Sequence, residues 1–169
     1  MTTSRPSCSP FRVGFGYDVH RLAPGRRLVL GGVEIAHERG LEGHSDADVL
    51  LHALCDALLG AAGLGDLGDH FPPTDLRWRD ADSADLLQRV MEQVEAAGFE
   101  VVNCDLTLLA EAPRIAPHRQ RIRERIAQLT RIEVDRVGVK ATTNEGLGAV
   151  GRQEGMAAMA VALLGERNP

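Results

Sequence analysis

The sequence lacks the features that mark several broad classes of protein. It has no apolar run near the roughly twenty residues of a membrane-spanning helix, and its first ten residues contain no apolar signal segment. We therefore expect a soluble protein that is not exported by that route. Its three cysteines lack metal-ligand spacing, which indicates reduced thiols and a cytoplasmic location. A net charge of −5 argues against a general nucleic-acid surface and makes local cations or metals necessary wherever phosphates are handled.

Internal repeats, low-complexity segments and linkers are also missing. The length of 169 residues and the hydrophobic fraction of 44% suit one domain with a filled core. We predict a disordered tail over residues 1–10 and a single domain over residues 11–169.

The stretch from Gly43 to Pro72 has the highest density of chemical signals. Ser45 and Asp48 have the form of a helix cap, and an apolar stripe at three- and four-residue spacing follows them. Asp48, His52 and Asp56 recur one turn apart on a second, polar face. A histidine between two carboxylates suits a metal ligand, and we predict that Asp56 orients it. The alternative is a solvated face with an ordinary Asp–His pair.

A strand is predicted from Phe11, where apolar residues alternate with Gly14, Gly16, Asp18 and His20. Asp18 and His20 are two apart, so they point to the same side of the strand. Together with His52 they would supply one carboxylate and two imidazoles, which suit zinc or a similar divalent ion. Taken alone, Asp-x-His is a common coincidence.

The remaining pattern predicts both helices and strands. We expect a hairpin with a Gly-Gly turn at 27–35, helices at 81–98 and 117–130, and strands at 99–111 and 134–146. The apolar segment 155–165 is predicted to close the chain as a helix.

The loop at 146–151 formally matches the dinucleotide fingerprint G-x-G-x-x-G. It is not a Rossmann motif, because too little chain follows it for the further strand that this fold needs. Its backbone amides, with Arg152, could bind phosphate instead. Thr142 and Thr143 could donate to phosphate oxygens and Glu145 could hold magnesium, although ordinary turn chemistry explains such residues equally well.

Four stretches in this order carry a family resemblance: GYDVHRL, GHSDADVLLHALCDALLGAAGLGDLGDHFP, DLTLLAEAPRIAPH and VKATTNEGLGAVGRQEG. Together they closely resemble the 2-C-methyl-D-erythritol 2,4-cyclodiphosphate synthase family of the non-mevalonate isoprenoid pathway. The match runs from Phe11 to about Leu164. Four ordered motifs without large insertions are far more specific than any one of them.

The resemblance implies an α/β (α+β) single domain with a mainly four-stranded sheet covered by helices on one face, plus a small N-terminal β-hairpin. It implies a homotrimer with active sites between subunits. The reaction would be that of a phosphorus–oxygen lyase. In 4-diphosphocytidyl-2-C-methyl-D-erythritol 2-phosphate, the 2-phosphate attacks the β-phosphorus and expels CMP. No general base is needed, because the attacking oxygen is already anionic.

The resemblance also assigns roles to residues. Asp18, His20 and His52 would bind zinc, Glu145 would hold Mg²⁺ or Mn²⁺ on the diphosphate, and His44 and Thr143 would stabilise the transition state. The implied substrate contacts comprise the zinc-site strand, the residues around the helix start, two loops and the last turn: Asp18, Val19, His20, His44, Ser45, Asp66, Leu67, Gly68, Phe71, Pro72, Pro73, Thr74, Asp75, Ala110, Glu111, Ala112, Pro113, Arg114, Ile115, Ala116, Thr142, Thr143, Asn144, Glu145, Ala149 and Arg152.

Four positions depart from the family pattern: Asn144 and Gly146 differ from common choices, and two others bear on ligand binding. Pro73 stands where an aspartate that touches the substrate diol is common, and Ala149 stands where many members have a phenylalanine. That phenylalanine and the arginine matching Arg152 line a central cavity that can hold an isoprenoid diphosphate. Two other classes stay open at this point: a metal-dependent phosphohydrolase with activated water as nucleophile, and a non-enzymatic trimeric protein that binds isoprenoid diphosphates.

Overall fold

The computed structural model describes residues 10–167. Most of the predicted tail, including Cys8, lies outside the described residues. Within them the strands are β1 (Phe11–Pro24), β2 (Leu28–Leu30), β3 (Val33–Ile35), β4 (Arg39–Glu42), β5 (Phe99–Leu109), β6 (Val137–Thr142) and β7 (Gly155–Glu166). The α-helices are α1 (Val49–Ala62), α2 (Leu67–His70), α3 (Ser83–Ala96), α4 (Arg119–Thr130) and α5 (Gly148–Gly151). Short 3-10 turns lie at Leu76–Trp78, Ala116–His118 and Val134–Arg136.

The main sheet has five strands in the order β4-β1-β7-β5-β6, and β2 and β3 form a separate hairpin. Only the β5–β6 pair within this sheet is parallel. The prediction of a mainly four-stranded sheet was therefore wrong by one strand. In the predicted Gly-Gly turn between β2 and β3, Gly31 and Gly32 both have positive φ.

The segment predicted as a closing helix forms strand β7 instead. This strand belongs to the main sheet, so the sheet has five strands. β7 lies in the centre of the sheet between β1 and β5, and most of its alanines are buried. A run that is apolar on both faces carries no alternation, so its period cannot distinguish a buried strand from a buried helix. Pairing with two neighbours decides in favour of the strand.

Helix α1 is the centre of the core and is buried at nearly every position. It packs against β1 where two glycines let the backbones approach. A Cβ on Gly14 would lie 1.9 Å from the Ala57 carbonyl oxygen, and one on Gly16 would lie 1.9 Å from that of Ala53. This close approach carries the helix directly over the inward-facing side chains of β1.

The residue that caps α1 is Asp48, and the expectation that Ser45 shares the cap was wrong. The Asp48 carboxylate accepts from the N–H groups of Leu50 and Leu51, at 3.1 and 3.2 Å. It also accepts from Gly31 and Gly32 of the hairpin turn, at 2.9 and 2.6 Å. Burial raises the pKa of Asp48 to about 6, against the lowering effect of these hydrogen bonds.

The other predicted helices and strands are confirmed. Asp82 caps α3, and α4 buries Ile122, Ile126 and Leu129 as its periodicity indicated. Among residues 10–167, no helix is long and apolar enough to span a bilayer.

The face of β1 that points away from α1 is exposed and apolar. Val13, Phe15, Tyr17 and Val19 are 49–69% exposed there, and Met159 and Val161 of the adjacent β7 extend the patch. We call these six residues the apolar sheet face. Exposed contiguous apolar surface of this kind marks an interaction surface.

Candidate metal centre and adjoining pockets

Three side chains from two elements meet at one point. Asp18 and His20 come from the same side of β1, and His52 comes from α1 above them. Asp18 Oδ2 lies 2.9 Å from His20 Nε2 and 3.0 Å from His52 Nδ1, and the two ring nitrogens are 3.1 Å apart. The predicted cluster of one carboxylate and two imidazoles is confirmed as a group that could hold a metal ion.

The outer partners of both rings decide where their hydrogens lie. His20 Nδ1 is 2.8 Å from the carbonyl oxygen of Glu42, which can only accept. His52 Nε2 is 2.9 Å from the hydroxyl of Ser83, which itself donates to the carboxylate of Asp46. Ser83 must therefore accept from Nε2. In the neutral rings the hydrogen lies on these outer nitrogens, and the two inner nitrogens are bare.

When both rings are neutral, the centre is thus a triangle of three acceptors that face one another without a hydrogen between them, and protonation of a ring supplies that hydrogen. Burial alone would raise the pKa of Asp18, but the hydrogen bonds and charges of His20 and His52 hold it well below its ordinary value. Burial alone would likewise lower the pKa of His20, but the hydrogen bond and charge of Asp18 raise it. Both shifts indicate that the triangle stabilises a positive charge.

The residues fit a tetrahedral divalent ion. Ligand distances near 2.0–2.1 Å around zinc imply about 3.3 Å between neighbouring ligand atoms, close to the 2.9–3.1 Å observed. Three protein ligands leave a fourth position for water or substrate. Each ring also has the outer hydrogen bond that normally orients a metal-binding histidine.

The outer partner of His52 differs from the sequence prediction. Asp56 was predicted to orient this ring, but its carboxylate accepts from the N–H of Leu67 at 2.8 Å. Both ring nitrogens of His52 have other partners, and the hydroxyl of Ser45 is a further one at 3.1 Å from Nε2. Ser83 and Asp46 were missed, because only the tertiary contact between α3 and the start of α1 brings them to the ring.

A pocket of about 280 Å³ opens beside the cluster. It contains the predicted His44, Ser45, Leu67, Gly68, Phe71 and Pro73 together with His20 and His52, and it adds Trp78 and Leu86, which sequence reasoning did not select. The Phe71 and Trp78 rings pack edge to face, with centroids 4.9 Å apart. No local motif marks Trp78, since its place in the wall depends on this contact.

A second pocket of about 180 Å³ lies where β5 and β6 end. Its walls include the predicted Ala110, Glu111, Pro113, Arg114, Ile115, Ala116, Thr142 and Thr143, as well as the unpredicted Arg119 and Ala141. Glu111 accepts from the N–H of Asn144 at 2.8 Å, which ties the two walls together. Thr143 donates to Glu145 at 2.8 Å, and Glu145 is held at a positive φ of 50°.

The remaining predicted contacts do not line either pocket. Asp66 caps α2, and Asp75 caps the next turn, where it also pairs with Arg77. Pro72 and Thr74 lie between these two caps.

Val19 points to the apolar sheet face, away from its neighbours Asp18 and His20. Ala112 precedes Pro113 in the β5–α4 connection, and Ala149 lies in α5, after which Arg152 pairs with Glu154 at 2.7 Å.

The sheet register gives the separation, across the sheet of one chain, between Asp18 of the metal centre and Ala141 of the second pocket. Asp18 pairs with Ala158, Ala158 with Leu108, and Leu108 with Ala141, so these residues form one row across four strands. Three spacings of about 4.8 Å make roughly 14 Å. Because β1, β5 and β6 run in the same direction, both pockets nevertheless lie toward the carboxyl ends of these strands.

The fold and the cluster together define an α+β domain with a candidate metal centre. The model of the YgbB family matches residues 11–165, and the chain belongs to this family.

Two similar proteins have the same name, and a third is a longer bifunctional protein. The 2-C-methyl-D-erythritol 2,4-cyclodiphosphate synthase of Symbiobacterium thermophilum is 63% identical over 155 residues, covering 92% of this chain and 99% of its own. A solved synthase of the same name in a CDP-bound form is 43% identical with a TM-score of 0.84, covering 90% of this chain and 99% of its own. The bifunctional IspDF of Campylobacter jejuni reaches a TM-score of 0.90 at 42% identity, and the match covers 94% of this chain but only 43% of that longer one.

Proposed function

We propose that this protein is a cyclodiphosphate synthase of the non-mevalonate isoprenoid pathway. It converts 4-diphosphocytidyl-2-C-methyl-D-erythritol 2-phosphate to 2-C-methyl-D-erythritol 2,4-cyclodiphosphate and CMP. The observation that carries the proposal is the triangle of Asp18, His20 and His52 beside an open pocket, in a chain 63% identical to a synthase of that name. The catalytic domain is residues 11–169.

The proposed reaction is an intramolecular phosphoryl transfer. An oxygen of the 2-phosphate forms a bond to the β-phosphorus, while the bond from that phosphorus to the bridging oxygen of CMP breaks and its electrons leave with CMP. No proton must be removed from the nucleophile. Catalysis then consists of positioning and charge neutralisation, which is how phosphoryl transfer is generally accelerated.

Residues of the metal centre and of both pockets would position the substrate and neutralise its charge. Asp18, His20 and His52 would hold a zinc ion, which supplies Lewis-acid stabilisation to the β-phosphate. Glu145 would hold Mg²⁺ or Mn²⁺ against the diphosphate. His44, exposed at the pocket beside His20, and Thr143 would donate hydrogen bonds to the charge that develops on the transferred phosphoryl group.

The two pockets would bind opposite ends of the substrate. The pocket at Phe71 and Trp78 suits the erythritol portion, with Pro73 in place of a polar contact to the diol. The pocket between Ala110 and Thr143 suits cytidine diphosphate, and the solved synthase described above is a CDP-bound form. Each pocket is smaller than the roughly 300 Å³ at which small-molecule sites begin, so neither holds the whole substrate.

We propose that a homotrimer joins these two pockets across its interfaces. The roughly 14 Å between Asp18 and Ala141 within one chain supports a site assembled from the metal centre of one subunit and the second pocket of its neighbour. The apolar sheet face supports burial against further copies of the chain. Ala149 and Arg152 would then approach the trimer axis, where an isoprenoid diphosphate is a candidate secondary ligand.

A cytoplasmic location completes the proposal. Cys55 and Cys104 are buried free thiols, and burial raises the pKa of Cys104 to about 12. Unpaired, protonated thiols of this kind suit a reducing compartment.

Phosphorus NMR of the products tests the function. The protein is incubated with the cytidyl substrate, zinc and magnesium, and the expected products are CMP and the cyclic diphosphate.

His52→Ala should lose bound zinc and most of the activity, because it removes one of three protein ligands. His37→Ala is the matched control, since the described hydrogen bonds of the His37 ring go to the backbone of Arg39, and this substitution should change neither property. Linear phosphates would indicate a phosphohydrolase instead, and an unchanged substrate bound tightly would indicate a binding protein.

A further inference from the structure

Asp46 is a charged residue next to the metal centre that has no part in the mechanism so far. It lies in the loop before α1, and its side chain reaches Ser83, the first residue of α3. Ser83 is fully buried and His52 is 9% exposed, so water cannot readily replace the contacts between them. The start of α3 therefore connects a carboxylate to a metal-ligand candidate through one hydroxyl group.

The direction of each hydrogen in this connection follows from the chemistry of its members. Asp46 accepts the single hydroxyl hydrogen of Ser83. Having donated that hydrogen, Ser83 Oγ can only accept from His52 Nε2, 2.9 Å away. The hydrogen of the neutral ring is then fixed on Nε2, and Nδ1 keeps its lone pair toward Asp18 and His20.

We infer that Asp46 is a positioning residue that prepares His52 for its ion by fixing the direction of the Ser83 hydroxyl. It touches neither the cation nor the substrate. The inference rests on the proposed metal centre and deepens it, because it assigns the carboxylate that the pattern Asp48-His52-Asp56 failed to identify. Outer-shell partners of this kind commonly change metal affinity or activity about 10- to 100-fold.

An amide at this position would permit the opposite hydrogen-bond direction. In Asp46→Asn the side-chain NH₂ can donate to Ser83 Oγ, which leaves the hydroxyl hydrogen free to point at His52 Nε2. The ring hydrogen would then move to Nδ1, where it blocks the lone pair that faces the cation. The substitution is nearly isosteric, so it changes the hydrogen-bond direction with little change of packing.

Asp46 also has a structural role that the test must separate. It accepts from the N–H groups of Ser83 and Asp48, both at 3.2 Å, and so helps to hold the starts of α3 and α1. Asp82→Asn is a matched control. Asp82 caps the same helix by accepting from the N–H of Ala84 at 2.8 Å, and none of its described hydrogen bonds involves His52.

The experiment measures two properties of the full chain. Zinc affinity is determined by competition with a chelator, and the ring tautomers of the metal-free protein are read from nitrogen-15 NMR, with the His52 signals assigned through His52→Ala. In the unchanged protein we expect zinc binding and a hydrogen on Nε2 of His52. Asp46→Asn should weaken zinc binding about 10- to 100-fold and shift His52 toward the Nδ1–H tautomer. Asp82→Asn should preserve both properties even where it lowers the melting temperature.

Ser83→Ala is the second variant, which keeps the inference testable if Asp46→Asn does not fold. It leaves only the more distant hydroxyl of Ser45 for Nε2 and should weaken zinc binding in the same direction. Folded variants with unchanged zinc affinity and an unchanged tautomer would overturn the inference. Equal losses in Asp82→Asn would overturn it too, because they would assign the effect to the seating of α3. An unchanged protein that binds no zinc would refute the proposed metal centre, while the tautomer measurement would still decide the role of Asp46.

Discussion

A bare ring nitrogen that faces a carboxylate oxygen is stable only when a proton or a metal cation lies between them. In the centre of this protein the Glu42 carbonyl oxygen and the Ser83 hydroxyl oxygen accept from the outer nitrogens of His20 and His52, so a neutral ring that carries its hydrogen on the inner nitrogen loses that hydrogen bond. We therefore expect the centre to hold a proton at low pH when no ion is bound, and a bound ion would displace that proton.

The metal-free protein should therefore show a specific pH dependence. Asp18 raises the pKa of His20 above 6.5 despite the opposing effect of burial, so the folded state binds this proton more tightly than the unfolded chain. The contribution is fully present below pH 6.5 and is lost as the pH rises through the higher folded value. We expect the melting temperature of chelator-treated protein to fall over that range. Zinc-loaded protein, in which the ion replaces the proton, should lack this decline.

Asp18→Asn provides the comparison for this measurement. It removes the charge that raises the pKa of His20, so the decline should become shallow. The lowered pKa of Asp18 adds a contribution that is fully present above its ordinary value of 3.8 and is lost as the pH falls from there toward the lower folded value, and that loss should disappear in the same variant. An identical decline in the unchanged protein and in the Asp18→Asn variant would exclude the Asp18–His20 pair as its source.

Sequence reasoning located the ligands but not their supports, for a physical reason. Asp18 and His20 are two residues apart on one strand, and His52 lies on a strongly patterned helix, so local periodicity was enough to select them. Asp46 and Ser83 are 37 residues apart in the chain and meet through the packing of α3. Local patterns contain no information on such a contact.

At the scale of elements, the contact between α1 and β1 determines whether the metal centre forms. A Cβ on Gly16 would fall 1.9 Å from the Ala53 carbonyl oxygen, one residue from His52. Gly16→Ala should push the helix away from the strand, weaken zinc binding and lower the free energy of unfolding by about 1–3 kcal/mol, as overpacking typically does.

Gly60→Ala is the control in the same helix. A Cβ on Gly60 meets nothing within 4 Å, so this substitution should stabilise the helix. The expected gain is roughly 0.5–1 kcal/mol, the usual cost of glycine in a helix interior. Urea denaturation and zinc titration of both variants would check the pair. Equal effects on zinc binding would mean that the close approach at Gly16 does not control the centre.

Strands and helices with a clear period were predicted correctly, whereas β7 was not. Its residues are apolar on both faces because α1 covers one face and the apolar sheet face continues on the other. The alternation of polar and apolar residues that separates a strand from a helix is therefore absent from β7, although one of its faces is buried and the other is partly exposed. The cap of α1 was misassigned to Ser45 for a related reason, since Ser45 and Asp48 both have suitable side chains and only the hairpin contact favours Asp48.

At the scale of the whole molecule, the proposed interface-shared site makes a prediction about mixed trimers. His52→Ala inactivates the zinc half of a site, and Glu145→Ala inactivates the magnesium half. When the two inactive proteins exchange subunits, about a quarter of the interfaces in a random closed ring should combine two intact halves. Activity should rise from near zero toward that fraction of the unchanged protein.

Two measurements make the mixing experiment decisive. Native mass spectrometry establishes that mixed trimers have formed. A third variant, carrying both substitutions in one chain, then replaces the Glu145→Ala partner and should restore nothing. Verified mixed trimers that stay as inactive as either parent would place both defects in a single site within one chain.

Asp48 caps α1 and also binds the turn of the β2–β3 hairpin, and this shared contact affects local unfolding. A hairpin of two three-residue strands is too small to persist alone, and its turn amides at Gly31 and Gly32 bond to the same carboxylate that caps α1. Exchange of those amide hydrogens with solvent should therefore require the first turn of α1 to fray at the same time. The loop that precedes this turn contains Ser45 and Asp46. Amide exchange rates in the hairpin would therefore report the local stability of the segment around His52.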